Sequence, residues 1–314
     1  WAGSDDGNVQ VTTDGGDNWT LVNDRMPGNP EFWVSRVEAS DHDPGTAFVS
    51  QTGYRRDDFR PLLWKTTDYG ETWTDITANL PDEPINVVRQ HHDNPDLLFV
   101  GTEFRVYVSV DGGGSWTAMR NDMPVNPVHD MKIHPRENDL VVATHGRGIY
   151  IADIGALAQL TPGVLASDAW LFRPESKVRW IQADFTEYAS DNFDGESEPQ
   201  AIPFYYYLGQ DLGEDVTFTV YQGEIPIATL TGSGEAGLHK VMWGMDKRQE
   251  RSQRQQEQLR ERYAQWGRDV DEDQIRYSSE PAPIGDYTVV MTAGGEEMTR
   301  AVSILRDEWW MERK

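Results

Sequence analysis

Thr12–Trp19 reads TTDGGDNW, Thr66–Trp73 reads TTDYGETW and Ser109–Trp116 reads SVDGGGSW. All three obey one template, [ST]-x-D-x-G-x-x-W, with Asp14, Asp68 and Asp111 spaced 54 and 43 residues apart. In such a turn the hydroxyl (Thr12, Thr66, Ser109) and the aspartate can accept backbone N–H bonds. Gly16, Gly70 and Gly113 suit a positive φ, and Trp19, Trp73 and Trp116 offer a large apolar area for burial. The motif therefore reads as a structural fastener, with no catalytic role for its aspartates.

Around each box runs the same grammar of short strands rich in β-branched and aromatic residues, punctuated by Gly, Asn, Asp or Pro. One unit reads VSRVEAS, TAFVSQT, LLWKTTD and WTDITA; the next reads INVVRQ, DLLFVGT, RVYVSVD and SWTAMRN. A last unit, VHDMKIH, LVVATHG and GIYIADI, lacks the box. Four strands per unit of roughly 40–50 residues is the signature of β-propeller blades. The first unit opens in its second strand, so the expectation is three boxed blades, the first incomplete, and a terminal unboxed one. The missing propeller half is expected from sequence before Trp1 or from another chain, because open blades leave strand edges unpaired.

The chain of 314 residues is 38% hydrophobic and 26% charged, long enough for two domains and a sizeable core. It has no cysteine, which excludes disulfides, thiolate metal sites and cysteine nucleophiles. A net charge of −25 argues against nucleic acid and anionic membranes as partners. No apolar run approaches the roughly 18 residues of a membrane helix. An acidic, lysine-poor surface suits a high-salt habitat and equally a solvated surface encoded by a GC-rich genome.

The boxes resemble the Asp-box, or BNR repeat, of sialidases, xyloglucanase-type glycosidases and the sortilin propeller. The longer run over residues 1–160, including WAGSDDGNVQVTTDGGDNW and LLFVGTEFRVYVSVDGGGSW, resembles large secreted bacterial proteins of the sortilin-like or "BNR-repeat glycosyl hydrolase" group. The resemblance implies an extracellular, periplasmic or cell-surface bacterial protein. It also implies that function lies on the face away from the boxes, where the turns between second and third strands gather. Those turns are residues 4–7, 52–61, 102–105 and 144–148, and they carry the candidate ligand-binding residues Asp5, Asp6, Arg55, Arg56, Glu103, Arg105, His145 and Arg147. Glu103 with Asp57 or Asp58 is the candidate acid–base pair for glycoside hydrolysis, which needs two carboxyls at a set separation. Arg105 and Arg147 could grip a carboxylate or sulfate. A salt-bridged channel wall is the competing structural reading. The arginine triad and Tyr–Glu pair of a sialidase cannot be assembled from this chain. His91, His92, His129 and His134 show no metal-ligand spacing, so no cofactor is expected. Structural calcium would have to sit in the acidic loops at 39–45 or 190–198, neither of which matches an EF-hand.

Beyond residue 160 the grammar changes. Residues 161–200 read as an irregular connector, and 201–314 as a second all-β module of six short strands: IPFYYYL, VTFTVYQ, IPIATLT, GLHKVMWGM, DYTVVMTA and MTRAVSIL. The fourth and fifth strands with their turns, GLHKVMWGMD and PAPIGDYTVVMTAGGEE, resemble the immunoglobulin-like module of flagellar hook-capping proteins and of secreted-protein C-termini. A Gln-, Glu- and Arg-rich insertion at about 247–267 reads as a helix, whose Leu259, Tyr263 and Trp266 make one narrow stripe expected to pack on the body of the protein. The fold expected is thus all-β: a partial propeller, then an Ig-like sandwich with a helical insertion. Three functions compete: a secreted module binding protein, peptide or glycan, a polysaccharide hydrolase, and a scaffold subunit holding a larger extracellular assembly.

Overall fold

The computed structural model describes residues 1–28, 31–120, 123–180, 198–266 and 271–308. The chain divides into two compact units, Trp1–Pro162 and Gly163–Lys314.

The first unit is a row of four antiparallel sheets. Blade 1 comprises β1 (Ala2–Gly3), β2 (Val9–Val11) and β3 (Thr20–Leu21). Blade 2 comprises β4 (Trp33–Ala39), β5 (Ala47–Gly53), β6 (Asp58–Thr66) and β7 (Thr74–Asp75), hydrogen-bonded in that order. Blade 3 repeats this with β8 (Ile85–Gln90), β9 (Leu98–Thr102), β10 (Val106–Ser109) and β11 (Thr117–Ala118). Blade 4 has three strands, β12 (Val128–Ile133), β13 (Asp139–Thr144) and β14 (Ile149–Asp153). The innermost strands β4, β8 and β12 lie side by side. Apolar cores fill the spaces between blades, with Phe48, Leu63, Ile85 and Trp116 between blades 2 and 3, and Val87, Phe99, Met131 and Val142 between blades 3 and 4.

The three repeat turns are near copies of one another. Thr66 Oγ1 donates to Asp68 Oδ1 at 2.8 Å and accepts from the Gly70 N–H at 3.0 Å, while Asp68 Oδ1 accepts from the Thr72 N–H at 2.9 Å. Thr12, Asp14 and Asn18 reproduce this set, as do Ser109, Asp111 and Ser115. The second carboxylate oxygen takes a further side-chain bond at 2.6–2.7 Å from Asn18, Thr72 or Ser115, a position the template had left blank. The second and third turns also touch the blade before them. A Cβ on Gly70, at φ +82°, would lie 2.9 Å from Val22 Cβ, and one on Gly113, at φ +98°, 2.9 Å from Ile76 Cδ1. Trp116 is 4% exposed, donates Nε1–H to the Ile76 carbonyl at 2.9 Å, and exchanges bonds with Asn79. Trp73 is 7% exposed and packs edge-on against Trp1. Trp19 departs from the expectation of burial and stands 46% exposed, since no element among the described residues covers it.

These bonds have a titration consequence. The backbone N–H of Asn18, then its side-chain amide and the Thr12 hydroxyl, hold the Asp14 carboxyl down from 3.8 to about 2. A folded-state pKa below the unfolded one contributes stability above about pH 4 and loses it as the pH falls through about 2. The melting temperature of the parent should therefore fall faster between about pH 4 and 2 than that of Asp14→Asn, whose residue 14 no longer titrates. Parallel curves in a pH series of thermal melts would contradict this.

A charged network, absent from the sequence reading, ties the inner strands. Arg89 of β8, 5% exposed, donates Nε–H to the Met131 carbonyl at 2.6 Å, Nη2 to Asp130 at 2.9 Å, and Nη1 to the Glu38 carboxylate. Arg36 of β4 adds a 2.6 Å bond to Asp130. Burial pushes the Glu38 carboxyl up, and the neighbouring Arg89 opposes that shift.

Two single-turn helices, α1 (Gly155–Ala158) and α2 (Pro162–Leu165), follow blade 4. The second unit has two sheets over one core of Phe204, Tyr206, Phe218, Trp243 and Tyr287. One sheet holds β15 (Ala169–Leu171), β17 (Ile202–Leu208) and β20 (Gly237–Trp243). The other has the order β16 (Lys177–Arg179), β24 (Glu296–Arg306), β23 (Gly285–Ala293), β18 (Val216–Gln222), β19 (Ile225–Gly232). All six strands read from the sequence are present. The connector at 161–200 needs correction, because β15 and β16 within it extend the two sheets. Three residues are too few for an alternation to register, and the partner strands decide their pairing.

The insertion is a ribbon, β21 (Asp246–Glu250) with β22 (Tyr277–Pro281), carrying α3 (Gln253–Gln265) and α4 (Glu272–Arg276). Ser252 and Gln255 form a capping box at the start of α3. The expected packing of the Leu259–Tyr263–Trp266 stripe does not occur: α3 buries no residue and Trp266 is 60% exposed. Three apolar residues make too narrow a face, and the helix is held to α4 by the Arg260–Glu272 ion pair at 2.7 Å.

Candidate functional site

On the side of blades 2–4 formed by the turns between second and third strands lies a groove of about 1000 Å³. Each blade contributes the start of its inner strand and the tip of that turn. Blade 2 supplies Trp33, Tyr54, Arg55 and Phe59; blade 3 supplies Pro84, Asn86, Glu103 and Phe104; blade 4 supplies Pro127, His129 and His145. Backbone bonds stitch these pieces together. Glu103 N–H donates to the Pro84 carbonyl at 3.2 Å, Asn126 N–H to Phe104 at 3.1 Å and His145 N–H to Pro127 at 2.9 Å. The middle bond joins the turn of blade 3 to the inner strand of blade 4.

The lining is aromatic and apolar with a few polar groups, the usual make-up of a ligand pocket. Trp33, Tyr54, Phe59, Phe104 and Val125 are exposed large apolar residues, all on this wall. The Arg55 guanidinium stacks 3.9 Å from the Trp33 ring centroid and 5.3 Å from that of Tyr54. Glu103 Oε1 accepts from Asn86 Nδ2 at 3.0 Å. The His129 and His145 rings lie 4.9 Å apart. Thr52 Oγ1 is buried on this wall with no hydrogen-bond partner among the described residues.

Of the residues singled out from the sequence, Arg55, Glu103 and His145 line the groove. Asp5, Asp6, Arg56, Arg105 and Arg147 do not. Asp6 is engaged within its own turn by Ser4 and by Asn8 Nδ2 at 2.9 Å, and Arg56 lies over the Phe32 ring at 5.5 Å. Arg105 is half-buried and its Nε has no partner among the described residues; Asp5 and Arg147 are exposed. Neither Asp57 nor Asp58 reaches the groove to pair with Glu103. Asp57 takes the left-handed turn conformation, at φ 58°. Asp58 is clasped by Arg60 Nη2 at 2.6 Å and Nε at 3.0 Å, which holds its carboxyl below the ordinary value. A carboxylate held ionised in this way suits a general base better than a general acid. Among the described residues no cluster of three or more His, Cys, Asp or Glu could hold a metal ion. Most of the acidic loop at 190–198 lies outside the described residues; in the loop at 39–45, Asp43 accepts the Thr46 hydroxyl at 2.6 Å.

The sequence reading missed the aromatic wall. Its signal was present in YRRDDF, TEFR and the MPVNP connector, where large apolar residues stand in loops that need none. His129 was read as a bystander, and only the turn of blade 4 brings it beside His145.

Residues 62–160, from within β6 through blades 3 and 4 to α1, match the Sortilin-Vps10 family (sortilin, neurotensin receptor 3). No curated protein matches the chain. Among solved structures it is similar to a GH74 enzyme of Niastella koreensis, with 16% identity over 48% of this chain and 26% of that one, at a TM-score of 0.40. It is similar to YCF48 of Cyanidioschyzon merolae, with 14% identity over 47% and 44% of the two chains, at a TM-score of 0.36. It is also similar to the GH74 xyloglucanase of Xanthomonas campestris, with 10% identity over 96% and 43%, at a TM-score of 0.40. The chain thus spans less than half the length of each of these structures. With its row of blades, the amino-terminal unit is a sortilin-like β-propeller segment of the BNR-repeat type.

Proposed function

We propose that this chain is an extracellular recognition module that holds a protein or glycan segment in the groove opposite the repeat turns. One observation carries the reading: exposed aromatic and aliphatic side chains from three consecutive blades converge on a single wall. Isolated exposed apolar residues are ordinary on a protein surface, but a contiguous set with a few fixed polar groups marks a binding surface. Against the hydrolase reading stand the positions of Asp57 and Asp58, neither of which lines the groove beside Glu103, and the hold of Arg60 on Asp58. The repeat aspartates are occupied in their turns and take no part in binding. Within this proposal the second unit serves as a spacer or anchor. No helix among the described residues is long and apolar enough to cross a membrane.

Phe104 is the most direct handle, being exposed and central to the wall. Phe104→Ala should leave the melting temperature nearly unchanged, because its ring is not part of a core. Binders selected from a glycan array and a displayed peptide library should lose about tenfold or more in affinity on the variant. Binders equally content with parent and variant would remove the groove from consideration. Turnover of a β-glucan by the parent, abolished in Glu103→Gln, would install the hydrolase reading in its place.

A further inference from the structure

We infer that the groove selects peptide segments that set a basic side chain beside large apolar ones, with Glu103 receiving the cation; this rests on the recognition reading above. Glu103 is half-buried at the tip of the blade 3 turn. Its Oε1 takes the Asn86 amide bond, and among the described residues no cation pairs with its carboxylate. Such a carboxylate is oriented but not neutralised. Arg55, the one arginine or lysine among the described residues that lines the groove, is engaged with the faces of Trp33 and Tyr54 instead.

Three features give the ligand its character. Phe59, Phe104 and Val125 offer apolar area for aliphatic or aromatic side chains. Ring faces attract a cation through their quadrupole, and Glu103 supplies the opposite charge. An acidic ligand would meet Glu103 and Asp82 on the same wall and would have to draw Arg55 from its stack. A sugar, which favours a bare aromatic face, finds Trp33 covered by that guanidinium. The occupant that satisfies all of these is a peptide carrying Lys or Arg next to Phe, Trp or Leu.

The test uses the whole chain as bait for a library of random dodecapeptides displayed on phage, at about 0.15 M salt, where distant charges are screened. The best peptide is then synthesised with its central Lys or Arg and, separately, with norleucine there. The expected result is a basic residue flanked by large apolar ones. The basic peptide should bind Glu103→Gln about tenfold or more weakly, while the norleucine peptide binds both proteins alike. Glu103→Gln removes one of 53 acidic side chains, so a preference born of overall charge would survive it. Peptides that depend on Phe104 yet ignore Glu103→Gln would overturn the cation assignment and leave the groove intact. Peptides indifferent to both substitutions, or no enrichment at all, would overturn the recognition reading itself.

Discussion

Arg89→Ala is expected to destabilise the propeller unit by about 3–5 kcal/mol, the usual penalty for removing one partner of a buried ion pair. The loss has three parts. The Glu38 carboxylate, already pushed up by burial, loses its hydrogen-bonded counter-charge; the Met131 carbonyl loses its donor; and Asp130 keeps Arg36 and the Met131 N–H. For a unit of this size the transition should fall by about 10 °C. Scanning calorimetry checks the figure. The double variant Arg89→Met/Glu38→Met should recover more than half of the loss, since hydrophobic replacement of a whole buried pair is close to neutral. If Arg89→Ala melts with the parent, the network is ornamental and the inner strands are held by apolar packing alone.

Trp116→Ala and Trp19→Ala remove the same residue from the same template, and their effects should differ by several kcal/mol. Trp116 fills the space against blade 2 and satisfies the Ile76 carbonyl, so its truncation should cost about 3–5 kcal/mol. Trp19 lies exposed, and its truncation should stay within about 1 kcal/mol of the parent. Urea unfolding of the two variants decides the matter. Equal losses would mean that the tryptophan acts within its own turn, contrary to its role as a plug between blades.

These contrasts show what could be read from residues and what could not. The template, the strands around it and the alternation of the second unit were legible because each depends on neighbours within about a dozen residues. The repeat even held an unread clue: Asn18, Thr72 and Ser115, always small and polar, complete the aspartate's bonds. The Arg89 network was not legible, because Glu38, Arg89 and Asp130 come from three strands that only blade stacking brings together. Trp19 shares every letter of its motif with Trp116, and context alone separates them. In the groove, attention to charged letters found Arg55, Glu103 and His145 but passed over Trp33, Phe59 and Phe104. Apolar residues in loops are easily taken for strand ends until the turns are seen side by side.

The glycines of the second and third turns set the pitch of the blades. At Gly70 and Gly113 a single hydrogen atom faces Val22 and Ile76, leaving no room for a methyl group. Each works as a feeler gauge between neighbouring sheets: a thicker residue would wedge the outer rim open and rotate one blade on the next. The aromatic wall spans blades 2, 3 and 4, so its breadth on the far side answers to the gap held at Gly113.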